Sequence, residues 1–479
     1  MDIVRIREQI ERDLETTESH LAAVVGQRSI SEGNRGVEEC AELLVEMHRE
    51  MGFDQVEIYR KKELPNVFAY MDAGAEKTLG VYLMFDHAVP GKGWTRDPYS
   101  AEVEALDPYP RVMYGHGIGT KGPYIAFAAA VAAMKRLGVL PFNVACLMEG
   151  EEFVGSTHYR HMVKDYRDRL EPCVGAIMPS AGQGKDGGVS LSLGSKGCAY
   201  FELVSRGSTA GKGPITASVH SSAQGVVHSP PWRLAEALAS LVKPGSWGLE
   251  MAFDGFYDGV ALPEGEELEM ALEAFAPLRG TDLRKTLPGI AGRGEVAALF
   301  EGLDEEDLFL RVLYYPTFNI NGIRSGYVDI DSPLFSLPGE ARARLDMRFG
   351  KDQSGDYLME SLRRHLDEHG FEDIEIVDMG VHDASVAELG DDIIRAAQKT
   401  YEDCGAPVKS VWPIRPAGAP LGDFCTVLGA PALGAVGIGM VGSNAGEQYM
   451  VLEGDGAVAG LAEGVEFFCR YLANLAEVE

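Results

Sequence analysis

The feature that most constrains this chain is the alternation of unbroken apolar strands with helical stretches in its N-terminal part. "LGVYLMF" (79–85), "FNVACLM" (142–148) and "VGAIMP" (174–179) are apolar on both faces. A strand with one wet face alternates, whereas one apolar throughout is covered on both sides. Between them lie "YIAFAAAVAAMKRLG", closed by Gly138, and "STHYRHMVKDYRDRL", both with a helical period. Strand, helix, strand, helix, strand in that order predicts an α/β fold with a parallel sheet wrapped by helices. In such sheets ligands bind beyond the carboxyl ends of the strands. Here those ends carry Asp86 and His87, then Glu151 and Glu152, then Ser180.

Two helices (3–24 and "NRGVEECAELLVEMHREMG") and two strands ("VEIYRK", "NVFAYMD") precede this core. From about Ser195 the texture changes. "CAYFELVSRG" alternates like a strand with one wet face, and "ARARLDMRFG", "DYLMESLRRHLDEHG", "IEIVDMG" read strand, helix, strand. The first style resumes with "DDIIRAAQKTYEDCG", "ALGAVGIG" and a C-terminal helix. The reading is one catalytic α/β domain, 1–194 and 381–479, interrupted by an α+β unit at 195–380.

Composition excludes several classes. Net charge is −30, from 43 basic and 73 acidic residues, which argues against nucleic acid or an anionic membrane as partner. No apolar run reaches a membrane span. The charged start "MDIVRIREQIERDLETTESH" lacks an apolar signal core, which argues against secretion. The seven cysteines are scattered, odd in number and without a CxxC pair, as for free thiols in the cytoplasm.

The element order, with "GWTRDPYS", "YGHGIGTKG", "MEGEEFVGS", "GFYDGV", "PTFNINGI" and "RLDMRF" in sequence, resembles the zinc peptidases of the aminoacylase, carnosinase and succinyl-diaminopimelate desuccinylase type. The resemblance implies a zinc-aminopeptidase-like catalytic domain with an inserted ferredoxin-like lid that pairs two subunits. It also implies two zinc ions on five side chains, and a Glu-Glu pair whose first member is the general base. Aligned on Val89-Pro90, however, the family's ligand His falls at Phe85 and its supporting Asp at His87. "YGHGIGTKG" lacks the bridging Asp, the later Asp falls at Ser180, and the final His falls at Gly446. Of the family's ligands Glu152 alone is retained, beside Glu151 as the base. A zinc site needs at least three good donors, so this set argues against the ordinary two-zinc centre. A single divalent ion, on Glu152 with Asp86, His87, His116 or Glu447, stays open.

The remaining site candidates come from the same resemblance. His116 stands in place of the family's Arg, and Lys121 matches its Lys. His220 in "SVHSSAQG" resembles the His that reaches from one subunit's lid into the other's site. Asn319 and Arg348 match lid positions that bind substrate, and a guanidinium fork suits a carboxylate. Each candidate also has a plainer reading. Paired acids suit a helix N-terminus, a His after a strand can stabilise a turn, and Arg348 can be a solvated lid residue. Three function classes follow. The first is an amidohydrolase or peptidase acting on a small dipeptide or N-acyl amino acid, with an altered or absent metal centre. The second is a metal-independent enzyme using Glu151 and a His such as His87 for proton transfer (isomerase, epimerase or acyl transfer) on an amino-acid derivative, with His220 as a donor to an oxyanion. The third is a non-catalytic binder of a small carboxylate. A homodimer through the lid is expected in each.

Overall fold

The computed structural model describes residues 2–292, 294–327 and 335–478. The chain divides into two units, Met1–Ser195 with Pro263–Leu299 and Ser385–Glu479, and Lys196–Leu262 with Phe300–Ala384. Residues 263–299 lie inside the stretch expected as a continuous insert, yet they group with the first unit. The reason is packing: Met270, on the helix Gly265–Phe275, lies against the first unit's core.

The first unit is built on a six-stranded sheet. Its strands are β1 (Gln55–Tyr59), β2 (Asn66–Met71), β3 (Thr78–Met84), β4 (Asn143–Glu149), β5 (Cys173–Pro179) and β6 (Ala432–Val436), in the spatial order β1-β2-β4-β3-β5-β6. The four strands β4, β3, β5 and β6 run parallel, as the apolar runs predict. The hairpin β1–β2 adds an antiparallel edge, so the sheet is mixed.

The pleat sends alternate side chains to two separate cores. Val67, Ala69, Val81, Val144 and Cys146 join one apolar layer. Phe68, Tyr70, Tyr82, Ala145 and Leu147 join the other. The first layer is closed by helices α1 (Ile3–Gly26), α2 (Val37–Glu50), α3 (Ile118–Leu137), α5 (Asp392–Asp403) and α7 (Leu461–Val478). Helices α4 (Tyr159–Asp165) and α6 (Gly422–Leu428) close the second. The stretch 156–170, read as one helix, breaks after Asp165 into two short ones.

Two further pairings have weak sequence signals. A four-stranded antiparallel sheet joins Val103–Leu106, Tyr109–Tyr114, Glu447–Glu453 and Val441–Asn444. Strand Val189–Ser192 pairs in parallel with Val408–Trp412.

The second unit is a four-stranded antiparallel sheet in the order Thr317–Ser325, Glu340–Phe349, Gly197–Arg206, Glu375–His382. With helices Pro230–Ser240 and Gly355–Glu368 in the crossovers, this is the ferredoxin-like β-α-β-β-α-β pattern. Phe201, Leu203, Leu345, Met347, Leu358 and Leu362 form its core. The alternate residues Tyr200, Glu202, Arg344, Asp346 and Arg348 lie on the other face, where Arg344 pairs with Glu202. No helix among the described residues is long and apolar enough to cross a membrane. Among the described residues none of the seven cysteines forms a disulfide.

Candidate active site

Because β3, β4 and β5 are parallel neighbours, their carboxyl ends meet at one rim of the sheet. Asp86 and the Glu151-Glu152 turn are joined there directly. Asp86 is buried, its Oδ1 accepting from the Glu152 N–H at 3.1 Å and its Oδ2 from the Phe153 N–H at 3.0 Å. Burial pushes its carboxyl up to about 6, against the hydrogen bonds that hold it down.

Glu151 is 3% exposed, and both of its oxygens are engaged. Oε1 accepts from Asn66 Nδ2 at 3.1 Å and from the His158 N–H at 2.8 Å. Oε2 accepts from His158 Nδ1 at 2.8 Å. Sequence reasoning gave His158 and Asn66 no role. Their signal is positional: Asn66 opens the strand paired to β4, and His158 precedes α4, the helix that follows the acidic turn. Glu152 opens the short helical turn Glu152–Val154 and is partly exposed.

A third acid lies behind the pair. Glu149 is fully buried at the end of β4, its Oε1 accepting from Tyr82 at 2.5 Å, while its Oε2 has no partner. Burial, then the nearby Asp86, pushes this carboxyl well above the usual range.

The histidines form their own group. The His87 and His116 rings lie 4.4 Å apart, beside Tyr99 and Trp94. Both imidazoles turn a nitrogen to one carbonyl: His87 Nδ1 lies 3.0 Å and His116 Nε2 2.9 Å from the Ala88 oxygen. Each must therefore donate through that nitrogen. His87 Nε2 is left buried without a partner. Burial, with Lys121 nearby, pushes His87 down to about 3, so it is neutral and a weak base. Gly117 is required at its place: it has φ +80°, and a Cβ there would sit 2.9 Å from His87 Cδ2. Lys121 is structural. Its Nζ donates to the Val24 and Gln27 carbonyls at the end of α1.

Phe85, where the family has a ligand His, is fully buried in the first layer's core. Glu447, the neighbour of the lost C-terminal His, is committed elsewhere. It accepts from the Thr95 N–H and hydroxyl and the Arg96 N–H, and pairs with Arg96 Nε at 3.1 Å. These bonds hold its carboxyl down at about 2.

The single-ion site that the sequence left open is not assembled. Among the described residues no three His, Cys, Asp or Glu side chains are placed to hold a metal ion. Asp86 spends its oxygens on backbone N–H groups, and His87 and His116 turn to Ala88. The residues present do not fit the family's two-zinc group either, because Phe85 and Gly446 donate nothing.

The lid candidates sit on the second unit. His220 is exposed, its Nδ1 2.9 Å from Ser222 Oγ and its ring stacked on Phe335. Arg348 donates to Tyr200 OH at 2.6 Å and lies over that ring. Asn319 is exposed on the neighbouring strand and donates to Asp346 Oδ1 at 3.2 Å.

A doubly covered sheet with an acidic rim, and a separate ferredoxin-like unit, define a two-unit peptidase architecture. Residues 215–374 match the peptidase dimerisation domain. The chain is 26% identical over 333 residues to the human Beta-Ala-His dipeptidase, covering 67% of this chain and 59% of that protein. The M20 family metallo-carboxypeptidase Sso-CP2 of Sulfolobus solfataricus superposes with a TM-score of 0.74 at 26% identity, covering 95% of this chain and 98% of the other. The di-peptidase Dug1p of Saccharomyces cerevisiae superposes at 0.70 and 20% identity, over 99% of each chain. These matches support the resemblance to the M20 peptidases that the sequence motifs carry.

Proposed function

We propose that this protein is a hydrolase of small amide substrates, dipeptides or N-acyl amino acids, with a rim that does not hold the family's two ions. The relatives named above support the substrate class. The observation that carries the altered rim is the full engagement of Asp86 and Glu151 by internal donors. A carboxylate that accepts several internal hydrogen bonds is a weaker general base. In this reading Glu151 is the buried anchor that shapes the turn, and Glu152, the partly exposed acid of the same turn, is the proton acceptor. Arg348 and Asn319 are the lid groups for a substrate carboxylate. The protein acts as a homodimer, in keeping with its dimerisation domain, and the unpaired cysteines suit a cytoplasmic location.

Proton transfer by Glu151 and His87 is disfavoured by the same geometry, since one accepts three internal hydrogen bonds and the other is a weak base. The engaged acids do favour a second reading, a binder of small carboxylates without turnover.

The test is elemental analysis of protein purified without added metal or chelator, with amine release assayed on a dipeptide and N-acyl amino acid panel. The proposal expects no stoichiometric metal, and turnover that is lost in Glu152→Gln. Two bound zinc ions per chain would overturn the altered rim. No turnover of any panel member, with binding retained, would establish the binder.

A further inference from the structure

Glu151 is satisfied from within, but the histidine that satisfies it is not. His158 turns Nδ1 to Glu151 Oε2 at 2.8 Å, and its backbone N–H donates to Oε1 at 2.8 Å. Asn66 donates to Oε1 as well, so the Glu151 carboxylate is an acceptor throughout and Nδ1 carries the hydrogen. That leaves Nε2 as the working nitrogen of the ring. Among the described residues nothing bonds Nε2, and it is not sealed in. The His158 side chain is 13% exposed, against 4% for Glu151.

A buried carboxylate partner sets His158 apart. His20 pairs with Glu50, whose side chain is 71% exposed. His87 and His116 turn to a carbonyl, and His48 engages both ring nitrogens, with the Leu44 carbonyl and the Tyr124 hydroxyl.

The chain folds back on itself to make this contact. Gly155 has φ +115°, and the buried Ser156 has φ +55°. A non-glycine residue held in the left-handed region is strained, and such strain collects at functional sites. The Gly155 and Ser156 N–H groups donate to the Glu152 and Glu151 carbonyls at 3.0 and 2.9 Å. One stitched turn at the sheet rim thus carries two partly exposed titratable groups, Glu152 and His158.

We propose that His158, held by Glu151, is the proton donor to the leaving nitrogen of the substrate. The proposal rests on the hydrolase reading above and adds the acid that reading lacks. Water attacks the acyl carbon, and its proton passes to Glu152. The C–N bond breaks, and the electron pair left on nitrogen takes the proton of His158 Nε2. Solvent returns a proton to His158 and removes one from Glu152, so the net change is amide plus water to acid plus amine. Glu151 does not touch the substrate. It is a positioning residue that fixes the ring and its tautomer, as the buried acid does in a Ser-His-Asp triad.

The experiment compares the best amide substrate of the panel with the ester in which oxygen replaces the scissile N–H. An alkoxide can leave without full proton transfer, whereas an amine cannot. The variant is His158→Asn, which keeps an N–H near the place of Nδ1 for Glu151 and has nothing at Nε2. It should lose about 100-fold or more in amide turnover, and less than about tenfold in ester turnover. A residue that only shaped the turn would move both substrates alike. Equal losses on the two, or an unchanged amide rate, overturn the proposal and leave the hydrolase reading standing. Absence of any wild-type amide turnover overturns both. Nitrogen NMR of labelled histidine in the wild type does not depend on how the variant folds. A hydrogen on His158 Nδ1 is expected, and a ring bare at Nδ1 overturns the proposal.

Discussion

Replacing Glu149 with Gln tests the electrostatics of the rim most directly. Glu149 is fully buried, accepts at one oxygen from the Tyr82 hydroxyl, and has Asp86, Glu151 and Glu152 as neighbours. Its folded carboxyl titrates well above the ordinary value of 4.5. In the unfolded chain it ionises near that value. Between the two, the folded state holds one proton more than the unfolded state, so stability falls as pH rises. One proton corresponds to about 1.4 kcal/mol per pH unit. Above the ordinary carboxylate range, stability should therefore fall by up to about 1.4 kcal/mol per pH unit until the folded carboxyl itself ionises. Gln has nearly the same shape, can still pair with Tyr82, and does not titrate. Its amide places an N–H group where Oε2 has no partner, which costs about 1–3 kcal/mol at every pH. The absolute stability of Glu149→Gln is thus a balance of opposing effects, and the change in its slope with pH is the clean quantity. Urea titrations above about pH 5.5 should show the variant losing up to about 1.4 kcal/mol per pH unit less than the wild type. Parallel pH profiles would refute the reasoning, because they would mean that Glu149 is already ionised in the folded protein and held by a counter-charge.

Further outcomes follow from the same geometry. Arg160→Met removes the ion pair to the fully buried Asp423 and should cost about 3–5 kcal/mol, read as a fall in the urea midpoint. Phe85→His restores the family's residue type at one position, yet zinc affinity by calorimetry should stay at the wild-type level, because Asp86 and Glu151 remain engaged; the buried imidazole should also lower the melting temperature. Glu447→Gln should flatten the acid limb of the stability profile. Its folded carboxyl titrates at about 2 against an ordinary 4.5, so the wild type has this stabilisation above 4.5 and loses it as pH falls toward 2.

The main sheet was legible because burial on both faces leaves an unmistakable mark. "LGVYLMF" and "FNVACLM" have no polar face to hide, and they became β3 and β4, adjacent and parallel. The ferredoxin-like unit was legible in outline from the alternation of "ARARLDMRF" and the amphipathic helix after it. The return of residues 263–299 to the first unit was not, since an amphipathic helix states that one face is apolar without naming what covers it. The sheet holding Val441–Asn444 and Glu447–Glu453 was missed for a related reason: its strands are short and their pairing is non-local.

At the rim, residue identity was legible and commitment was not. The sequence displays Asp86, Glu149, Glu151, Glu152 and Glu447 as five potential donors. Whether a carboxylate is a ligand, a base or an anchor depends on who occupies its lone pairs, and those occupants lie far along the chain. Asn66 reaches Glu151 from another strand, and Thr95 and Arg96 reach Glu447 from across the sequence. In a metal centre such acids share a cation. Here backbone N–H groups, a histidine, an arginine and, at Glu149, a proton take that place. An acidic rim satisfied from within has little electrostatic need of an ion. Under the proposed function, Glu152, partly exposed at the same turn, is the acid that meets the substrate.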